Sequence, residues 1–527
     1  MARYLLAAEA DKIQEFLFRS TRLAQVVGGS AFLSRFCQEE APLLLEKVGF
    51  DTNDCIIIAD GGTFRLQFDN KEIAAQCGEL LAEYYSRALG GTLTIAEPVE
   101  VIDNDFHKVQ QEVQSKLVEA KIRRRYPVTS AHMSFMAFCA SCGMGLAGEY
   151  MEDNKYLCPS CAQKENERRR EFKSFVHSFY QLVNDQVKEM NNDLISEKIF
   201  NPDPVKELER LQGLDAGGYI AYLVADGNDM GMLFDDCKNP QQMREFSEGL
   251  SKSLEEALAN SAALGLNYLY NKQTYTDKLP VPIYPAILGG DDCLAVMAAP
   301  IALSMTENFC RVFSVKMKNV VDKAKLGGKR PGISAALVYC KANYPYALAY
   351  QRGLALLSEA KRLARISQDG DGHPQLTINF EVISGDGLEP EYISGAKHRN
   401  SVRPYFVGEP PKDYLGLDIK TLHESRYQGD SFSSQRLNSL RRLFDNINFD
   451  DRQREKQWDE QFAYLKKRVA RNPSESIALE NILHELGGGE NSPWRNVVRE
   501  NDRYYACGLS DLIEMWDFLE KVTGNEL

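Results

Sequence analysis

The chain has 527 residues, of which 44% are hydrophobic, and its formal net charge is −13. A chain of this length can bury several cores, and we expect three or four domains. The negative charge argues against a protein that coats nucleic acid over its whole surface, although local basic patches can still bind RNA. No stretch approaches the ~20 uninterrupted apolar residues of a membrane-spanning helix, and a charge comes too early for a signal peptide. We therefore expect a cytoplasmic protein without a membrane partner.

The first predicted element is a short apolar strand from Tyr4 to Ala8. An amphipathic segment follows, in which Ile13, Phe16 and Leu17 recur at helical spacing. Farther along, residues 55–68 predict a β-hairpin with paired glycines at its tip. Strand, helix and hairpin thus succeed one another within the first part of the chain.

Two dense basic runs come next, at residues 121–125 and 168–170. Such runs are most often solvated helix faces, and contact with nucleic acid is the alternative.

Two Cys-x-x-Cys pairs, separated by fifteen residues, predict a zinc ribbon. Each pair presents two thiolates to one face of a tetrahedral ion, and four thiolates leave no open position, so the zinc should be structural. A reducing compartment disfavours the alternative of two disulfides or unrelated thiols. We assign residues 116–210 to this ribbon and a helical linker. The four proposed zinc ligands are Cys139, Cys142, Cys158 and Cys161.

A second set of strand, helix and hairpin carries acidic residues. The apolar run from Tyr219 to Ala225 ends at Asp226, where the chain must turn sharply before a helix. A later hairpin has Gly-Gly-Asp-Asp at its tip, from Gly289 to Asp292. The glycines allow a tight turn and close approach of a ligand, while adjacent carboxylates favour a bound cation such as Mg²⁺. Alone, such a turn is more often a solvated hairpin.

The combination of these acidic residues changes the interpretation. Asp226, Asp291 and Asp292 are the donors that a two-metal phosphoryl-transfer centre needs, because one ion activates the attacking oxygen and the other stabilises the leaving oxygen. The order of elements also repeats that of the first part of the chain, with Thr63 and Phe64 where the second copy has its aspartate pair. We predict an internal duplication whose first copy lacks the metal ligands. The alternative is that βα units merely look alike.

At these residues the sequence resembles the palm-type polymerases and cyclases, which include GGDEF diguanylate cyclases. The closer resemblance is to the large polymerase-like subunit of type III CRISPR effector complexes, through the Asp-Gly-x-x-Met-Gly motif at residues 226–231 and the Gly-Gly-Asp-Asp hairpin. It extends over most of residues 1–410. Further matching stretches are Ile13 to Phe16, Gly28 to Ser30, Ala360 to Arg362, Ile378 to Phe380, and Arg403 to Tyr405.

The resemblance implies an α+β fold with two ferredoxin-like palm domains of the nucleotidyl cyclase type, a zinc-ribbon insert and a C-terminal helical domain. We place the degenerate first palm at residues 1–115, the second palm at 211–410 and the helical domain at 411–527. Related subunits often carry an HD nuclease domain. Because this sequence begins almost at once with the first palm and contains no His-Asp dipeptide, we expect no nuclease of that kind.

The resemblance also implies nucleotide-binding residues. A lysine on the corresponding helix of the family lies near the triphosphate, which makes Lys361 a phosphate ligand, with a solvated helix face as the alternative. Gly28, Gly29 and Ser30 are candidates for phosphate contact between the palms, or form only a turn. The remaining nucleotide-binding candidates lie at the catalytic turns and are Gly227, Gly289 and Gly290.

The expected function is a palm nucleotidyltransferase that uses two Mg²⁺ or Mn²⁺ ions to convert ATP into cyclic oligoadenylate-like messengers in antiviral defence. Possible partners are a guide RNA and small or backbone CRISPR subunits. Two alternatives stay open: a non-catalytic scaffold subunit of a type III complex, and a stand-alone cyclic dinucleotide synthase. Three carboxylates brought together favour an enzyme, because a scaffold has no need to keep mutually repelling charges.

Overall fold

The computed structural model describes residues 3–20, 22–101, 105–123, 137–151, 155–170, 172–190, 207–272, 280–326, 331–368, 373–383, 398–399, 401–411, 416–445, 452–487, 494–499 and 502–520. This part of the chain is an α+β structure with two large sheets, a small cysteine-bearing insert and a region of C-terminal helices. None of the described helices is both apolar enough and long enough to cross a membrane.

The described helices are numbered in chain order. They are α1 (Ile13–Phe18), α2 (Leu23–Arg35), α3 (Ala41–Lys47), α4 (Thr52–Cys55), α5 (Lys71–Leu89), α6 (Phe106–Arg123), α7 (Pro159–Arg170), α8 (Phe172–Glu189), α9 (Glu207–Gln212), α10 (Met230–Asp235), α11 (Pro240–Lys272), α12 (Ala302–Ala324), α13 (Tyr346–Ile366), α14 (Ile419–Gln428), α15 (Ser434–Asp445), α16 (Arg452–Val469), α17 (Pro473–Leu486) and α18 (Leu509–Glu514).

The described strands are numbered in the same way. They are β1 (Arg3–Asp11), β2 (Ile56–Asp60), β3 (Thr63–Phe68), β4 (Thr92–Ile95), β5 (Val99–Val101), β6 (Glu149–Met151), β7 (Lys155–Leu157), β8 (Tyr219–Asn228), β9 (Ile283–Gly289), β10 (Asp292–Ala298), β11 (Gly332–Lys341), β12 (Thr377–Val382), β13 (His398–Arg399), β14 (Tyr405–Phe406), β15 (Arg495–Arg499) and β16 (Asp502–Ala506).

The first sheet has the strand order β2-β3-β1-β4, and β5 also pairs with β1. Alternate side chains of β1 enter two different cores, because successive residues of a strand point to opposite faces. Leu6 and Ala8 pack into a core that belongs to this sheet and its helices, whereas Leu5 and Ala7 join the large core that continues into the second sheet. The central strand of the first sheet is therefore buried on both faces.

The second sheet has the strand order β14-β12-β11-β8-β10-β9. Its central strand β8 is antiparallel to both β10 and β11, and helix α13 packs across β8, β11 and β12. All residues from Ile220 to Ala225 are buried, as expected for the continuous apolar run of a strand covered on both faces. The strand continues through Asp226 to Asn228, so Asp226 lies within it and not at its end.

The two sheets share one connectivity. In each, a strand is followed by helices, a two-stranded hairpin, a further helix and a strand that returns beside the first, so β4-β1-β3-β2 corresponds to β11-β8-β10-β9. The residue between the first strand and its short helix has a left-handed backbone in both copies: Lys12 has φ 52° and Asp229 has φ 56°. Such a conformation is uncommon for residues other than glycine.

Two sequence-based expectations about this region are wrong. The first-sheet hairpin turns at Gly61 and Gly62, and the second turns at Gly290 and Asp291. The positions of Asp291 and Asp292 are therefore occupied by Gly62 and Thr63, one residue before the predicted Thr63 and Phe64. Gly28 to Ser30 form no turn, because they lie inside helix α2 and are buried. Helix α2 packs against α7 and β9, and a Cβ atom at Gly29 would lie 3.3 Å from the Lys164 side chain of α7.

The C-terminal helices α14 to α18 pack around one another and against the second sheet. Asp511 on α18 is fully buried, where it accepts hydrogen bonds from the Val402 backbone N–H and the Tyr405 hydroxyl, both at 2.9 Å. Arg403 lies 3.0 Å from its other carboxylate oxygen. The helices expected here are confirmed, but no sequence pattern had indicated the small sheet of β13, β16 and β15.

Candidate active site

The two predicted catalytic strands lie side by side. In the ladder between β8 and β10, Asp226 pairs directly with Asp292. Asp291 immediately precedes Asp292 and lies in the turn that joins β9 to β10. The hairpin therefore brings residues that are far apart in the sequence to the same end of two neighbouring inner strands. Tertiary pairing creates the acidic group that the two motifs indicated separately.

Two glycines make this arrangement possible. A side chain at Gly227 would come within 2.6 Å of Met230 and 3.0 Å of the Cβ atom of Asp291, so only glycine lets the turn lie so close to β8. Gly290 has φ +58°, a left-handed conformation that glycine adopts without strain. Both residues are thus required by the backbone, and their contact with a nucleotide stays a prediction.

The carboxylates disfavour one another's ionised forms. Desolvation, followed by the charges of Asp226 and Asp292, raises the pKa of Asp291 well above its usual range. Although the Asp292 side chain reaches the surface, desolvation and the charge of Asp226 raise its pKa to about 6, against the opposing effect of Lys361. A bound cation would relieve this repulsion. The three carboxylates do not converge as closely as the four cysteines of the insert, so their match to a divalent metal rests on the type of donor atom.

A basic helix face lies beside the carboxylates. Lys361 on α13 places its Nζ atom 2.5 Å from Asp226 Oδ2, and Arg365 on the next turn lies 3.4 Å from Asp229. A surface cavity of about 510 Å³ follows this face. Its lining residues are Leu354, Leu357, Ser358, Lys361, Arg362, Arg365 and Ile366. The predicted phosphate lysine is therefore next to the acidic group.

The first sheet domain contacts the same helix. Phe18 stacks on Tyr350 with ring centroids 3.9 Å apart, and the Tyr346 hydroxyl donates a hydrogen bond to the Ser20 carbonyl. Desolvation and the charges of Asp292 and Asp226 raise the pKa of Tyr350, which places this ring within the electrostatic reach of the site. The sequence motifs identified none of these aromatic residues.

The equivalent position in the first sheet carries no acidic group of this kind. Glu9 pairs with Thr63 as Asp226 pairs with Asp292. Its carboxylate is bound by Arg65 at 3.2 Å and by Lys121 at 2.6 Å. Desolvation raises the pKa of Glu9, but the hydrogen bond and charge of Lys121 together with the charge of Arg65 lower it overall. Two side-chain cations thus already neutralise this carboxylate.

The hairpin tip of the first domain meets that of the second. Asp60 Oδ2 accepts hydrogen bonds from the Gly290 backbone N–H at 3.3 Å and from the Ser251 hydroxyl of α11 at 2.6 Å. Sequence reasoning missed Asp60, although the repeat offered a signal: it precedes the paired glycines of the first hairpin. Gly289 is its counterpart in the second hairpin.

The four cysteines of the insert converge. Their sulfur atoms all lie within 4.8 Å of one another. Among the described residues, no other group of three or more His, Cys, Asp or Glu side chains converges in this way. Backbone N–H groups of Ser141 and Gly145 point to the sulfurs of Cys139 and Cys142, each at 3.4 Å. Four converging thiolate donors are consistent with a structural zinc.

The insert is also tied to the first domain. Ser141, between two of the cysteines, donates a hydrogen bond to Gln25 on α2 and lies 3.1 Å from the Ser20 hydroxyl. Gln25 in turn donates to Glu165 on α7 at 3.2 Å. The ribbon is therefore part of the packed structure around α2.

The described members of the first basic run are engaged within the chain. Lys121 binds Glu9, and Arg123 binds Glu119 one helical turn away. Residues 124 and 125 and the side chains of residues 168–170 lie outside the described part of the structure. These ion pairs favour the solvated-face interpretation for Lys121 and Arg123.

Residues 219–367 match the family model described as Cas10/Cmr2, second palm domain. This segment contains the three aspartates, the strands β8 and β10, and Lys361. The resemblance recognised in the sequence is thereby confirmed for the segment. No curated protein matches the sequence.

Solved structures of the Csm1–Csm4 cassette have a similar fold. The match to the complex with cA4 has a TM-score of 0.51 at 14% identity and covers 92% of this chain and 70% of that chain. The complex with cA3 matches with a TM-score of 0.50 at 14% identity, over 98% and 70% of the two chains. In the complex with pppApA, this chain spans about half, 54%, of the matched chain. At such identities the likeness shows the fold alone.

Proposed function

We propose, from the premise that residues 219–367 form a second palm domain of the Cas10/Cmr2 type, that the chain is a nucleotidyltransferase converting ATP into cyclic oligoadenylate-like messengers. The observation that carries the proposal is the register of β8 and β10, which sets Asp226 beside Asp292 with Asp291 at the adjoining turn. This arrangement, with Lys361 against it, has the donors that phosphoryl transfer requires.

Each residue has a distinct part in the proposed reaction. Asp226, Asp291 and Asp292 hold two divalent ions, which when bound lower the pKa of the attacking ribose hydroxyl and stabilise the leaving pyrophosphate. Lys361 orients the triphosphate through its compact positive charge. In each step a ribose hydroxyl oxygen forms a bond to the α-phosphorus, the bond from that phosphorus to the β-phosphate bridging oxygen breaks, and the hydroxyl proton passes to solvent.

Adenine is the proposed base. The cassettes with a similar fold include complexes with cA4 and with pppApApA, whose names denote adenosine nucleotides. Carried over to this chain, these ligands favour ATP as the substrate and a ring of several adenylates as the product.

We further propose that the first sheet domain is a degenerate palm. Its strand order repeats that of the second sheet, and Glu9 stands at the position of Asp226 but is neutralised by Arg65 and Lys121. Such a domain supports the second palm without binding catalytic metals. The proposed division is residues 1–115 and 211–410 for the palms, 116–210 for the ribbon and linker, and 411–527 for the helical domain.

The proposed partners are a Csm4-like backbone subunit, small subunits and a guide RNA. The fold match to Csm1–Csm4 cassettes supports the first of these. Purification of the native protein at low salt, followed by size-exclusion chromatography and RNA extraction, tests for such an assembly.

The decisive experiment compares products by mass spectrometry. Purified protein is incubated with each nucleoside triphosphate and Mg²⁺ or Mn²⁺, beside Asp291→Ala with Asp292→Ala. Removing the two carboxylates should lower synthesis by orders of magnitude, about 10³-fold or more, because they hold the catalytic charge. The paired control is Asp235→Ala with Asp236→Ala, two neighbouring aspartates at the end of α10.

The outcomes separate the candidate functions. A cyclic adenylate product that disappears in the Asp291 and Asp292 variant supports the synthase, and undiminished synthesis in that variant contradicts the site. If neither the free protein nor its native complex makes any product, the chain is a scaffold. A cyclic dinucleotide made by the protein alone would favour the stand-alone synthase.

A further inference from the structure

The contact between the two hairpin tips joins the first domain to the backbone of the catalytic turn. Asp60 stands at the end of β2, and its carboxylate accepts three hydrogen bonds from neutral donors. Oδ1 accepts from the Gly61 backbone N–H at 2.8 Å, while Oδ2 accepts from Ser251 at 2.6 Å and from the Gly290 N–H at 3.3 Å. One side chain thereby fastens its own turn, helix α11 and the catalytic turn together.

The tips are close enough for this contact to restrict the turn. A Cβ atom at Gly289 would lie 3.9 Å from the Cα atom of Gly61, so the two backbones face each other directly. Gly290 immediately precedes Asp291, and its left-handed conformation determines the direction in which the turn presents that carboxylate. A hydrogen bond to the Gly290 N–H therefore acts on the orientation of Asp291.

A second set of contacts holds the first hairpin in place. Arg244 on α11 donates hydrogen bonds to the backbone carbonyl of Asn53, at 2.6 Å, and to that of Ile56. Desolvation and the charge of Asp60 raise the pKa of Glu255, one helical turn after Ser251 on α11. The carboxylate of Asp60 thus lies between the first hairpin and helix α11, which binds that hairpin through Arg244 and Ser251.

We propose that Asp60 of the first domain is a positioning residue for the catalytic hairpin of the second, holding the Gly290 N–H so that Asp291 points toward the shared metal site. This role deepens the proposed function and rests on it. It also gives the metal-deficient first domain a specific role, because any displacement of its hairpin would move a catalytic carboxylate of the second domain.

The test combines three readouts on Asp60→Ala and Ser251→Ala. Deuterium exchange of the peptide spanning residues 287–293 measures how well the backbone N–H groups of the turn, including that of Gly290, are protected. This readout requires neither metal nor activity. Electron paramagnetic resonance measures Mn²⁺ affinity, with the Asp291 and Asp292 double alanine variant as the baseline. Product formation gives kcat and KM. The matched control is Asp69→Ala, an exposed aspartate just beyond β3 of the same hairpin.

Asp60→Ala should accelerate exchange in that peptide and weaken Mn²⁺ binding about tenfold, because hydrogen bonds to a charged acceptor are lost. We expect kcat to fall by a similar factor of about ten with a smaller change in KM, since the change acts on the metal ligand. Ser251→Ala, a milder change that leaves Asp60 in place, should shift all readouts in the same direction by less. Asp69→Ala should change none.

Two outcomes overturn the proposal: unchanged exchange in Asp60→Ala, or faster exchange with unaltered Mn²⁺ affinity and kcat, which would make the contact purely structural. If the wild type makes no product yet Asp60→Ala weakens Mn²⁺ binding, the positioning role stands while the proposed reaction fails. If the wild type binds Mn²⁺ no better than the double alanine baseline, both proposals fail together.

Discussion

At the scale of single residues, the acidic group combines carboxylates that repel one another with a lysine that partly neutralises them. Asp226 is held by Lys361, whereas Asp291 and Asp292 have raised pKa values. A metal ion that binds here would displace protons from Asp291 and Asp292 and compete with the Lys361 ammonium for Asp226. Two measurable consequences follow from these charges.

The first prediction concerns pH. Because the native pKa of Asp292 is about 6, above the ~3.9 of an unfolded aspartate, the native state binds protons more tightly than the unfolded state between these values. The metal-free wild type should lose stability relative to Asp291→Asn with Asp292→Asn as pH rises through this window. Allowing for solvent screening, we expect about 1 kcal/mol per carboxylate.

Thermal unfolding of both proteins between about pH 4 and about pH 8, with and without excess Mg²⁺, measures this effect. Mg²⁺ should restore the stability of the wild type at the upper end, where the carboxylates are ionised, and leave the double asparagine variant unchanged. A wild type whose relative stability rises with pH in the absence of metal would contradict the pKa directions.

The second prediction concerns Lys361, which in the proposed reaction competes with the metal for Asp226 and binds the triphosphate. Lys361→Met should strengthen Mn²⁺ binding by about fivefold, because a partly exposed ion pair contributes at most about 1 kcal/mol. The same change should weaken nucleotide binding by at least a similar factor. Titrations of Mn²⁺ and of a non-hydrolysable ATP analogue measure the two effects, with the exposed Lys323→Met on α12 as control. If Lys361→Met strengthened both Mn²⁺ and nucleotide binding, or weakened both, Lys361 would not have this double role.

At the scale of elements, the cysteine insert has contacts beyond its own ligands. Helix α7 starts within the second cysteine pair and packs on α2, and Ser141 connects the first pair to Gln25 and Ser20. Since Ser20 also accepts a hydrogen bond from Tyr346, the ribbon reaches the interface between the two sheet domains. Loss of a metal bound by the cysteines should therefore also disturb the packing of α2 and the contact between Ser20 and Tyr346.

The third prediction follows from these contacts. Cys158→Ser should abolish bound zinc and lower the free energy of unfolding by several kcal/mol, about 3 or more, because metal binding and folding of such sites are coupled. Elemental analysis and thermal unfolding provide the measurements. Cys77→Ser, a thiol on α5 outside the cluster, should retain the zinc. Full zinc content in Cys158→Ser would show that the four thiolates are not its ligands.

At the scale of the whole molecule, the second palm depends on the first domain at several points. The hairpin tips meet through Asp60, and Phe18 stacks on Tyr350 of the helix that carries Lys361. The large core runs continuously from β1 into the second sheet. The acidic residues thus lie on the second sheet, and residues that precede or belong to the first sheet contact both their hairpin and the helix beside them.

The fourth prediction tests this dependence. Phe18→Ala removes a stacked aromatic pair and should cost about 1 to 2 kcal/mol of stability, since Phe18 is only partly buried. It should also raise the KM for nucleotide more than it lowers kcat, because the ring buttresses α13 and leaves the metal ligands in place. Denaturant unfolding and steady-state kinetics measure both, with Tyr464→Ala, 63% exposed, as control. Unaltered stability and KM would show that the interface does not need this pair.

The sequence by itself indicated the candidate chemistry and the approximate positions of the elements. Four cysteines at fixed spacing, an aspartate after an apolar run and a Gly-Gly-Asp-Asp turn are local patterns, and short-range covalent geometry imposes their conformations. The apolar run from Tyr219 to Ala225 likewise lies within strand β8, which extends from Tyr219 to Asn228. The family resemblance rests on the same local motifs.

The tertiary structure alone decided which residues meet. The one-residue shift between the hairpins, the helical conformation of Gly28 to Ser30, and the small C-terminal sheet depend on packing partners distant in the chain. The contact of Asp60 with Gly290 spans 230 positions. No local periodicity records such a contact, because it exists only when the shared core brings the two hairpin tips together.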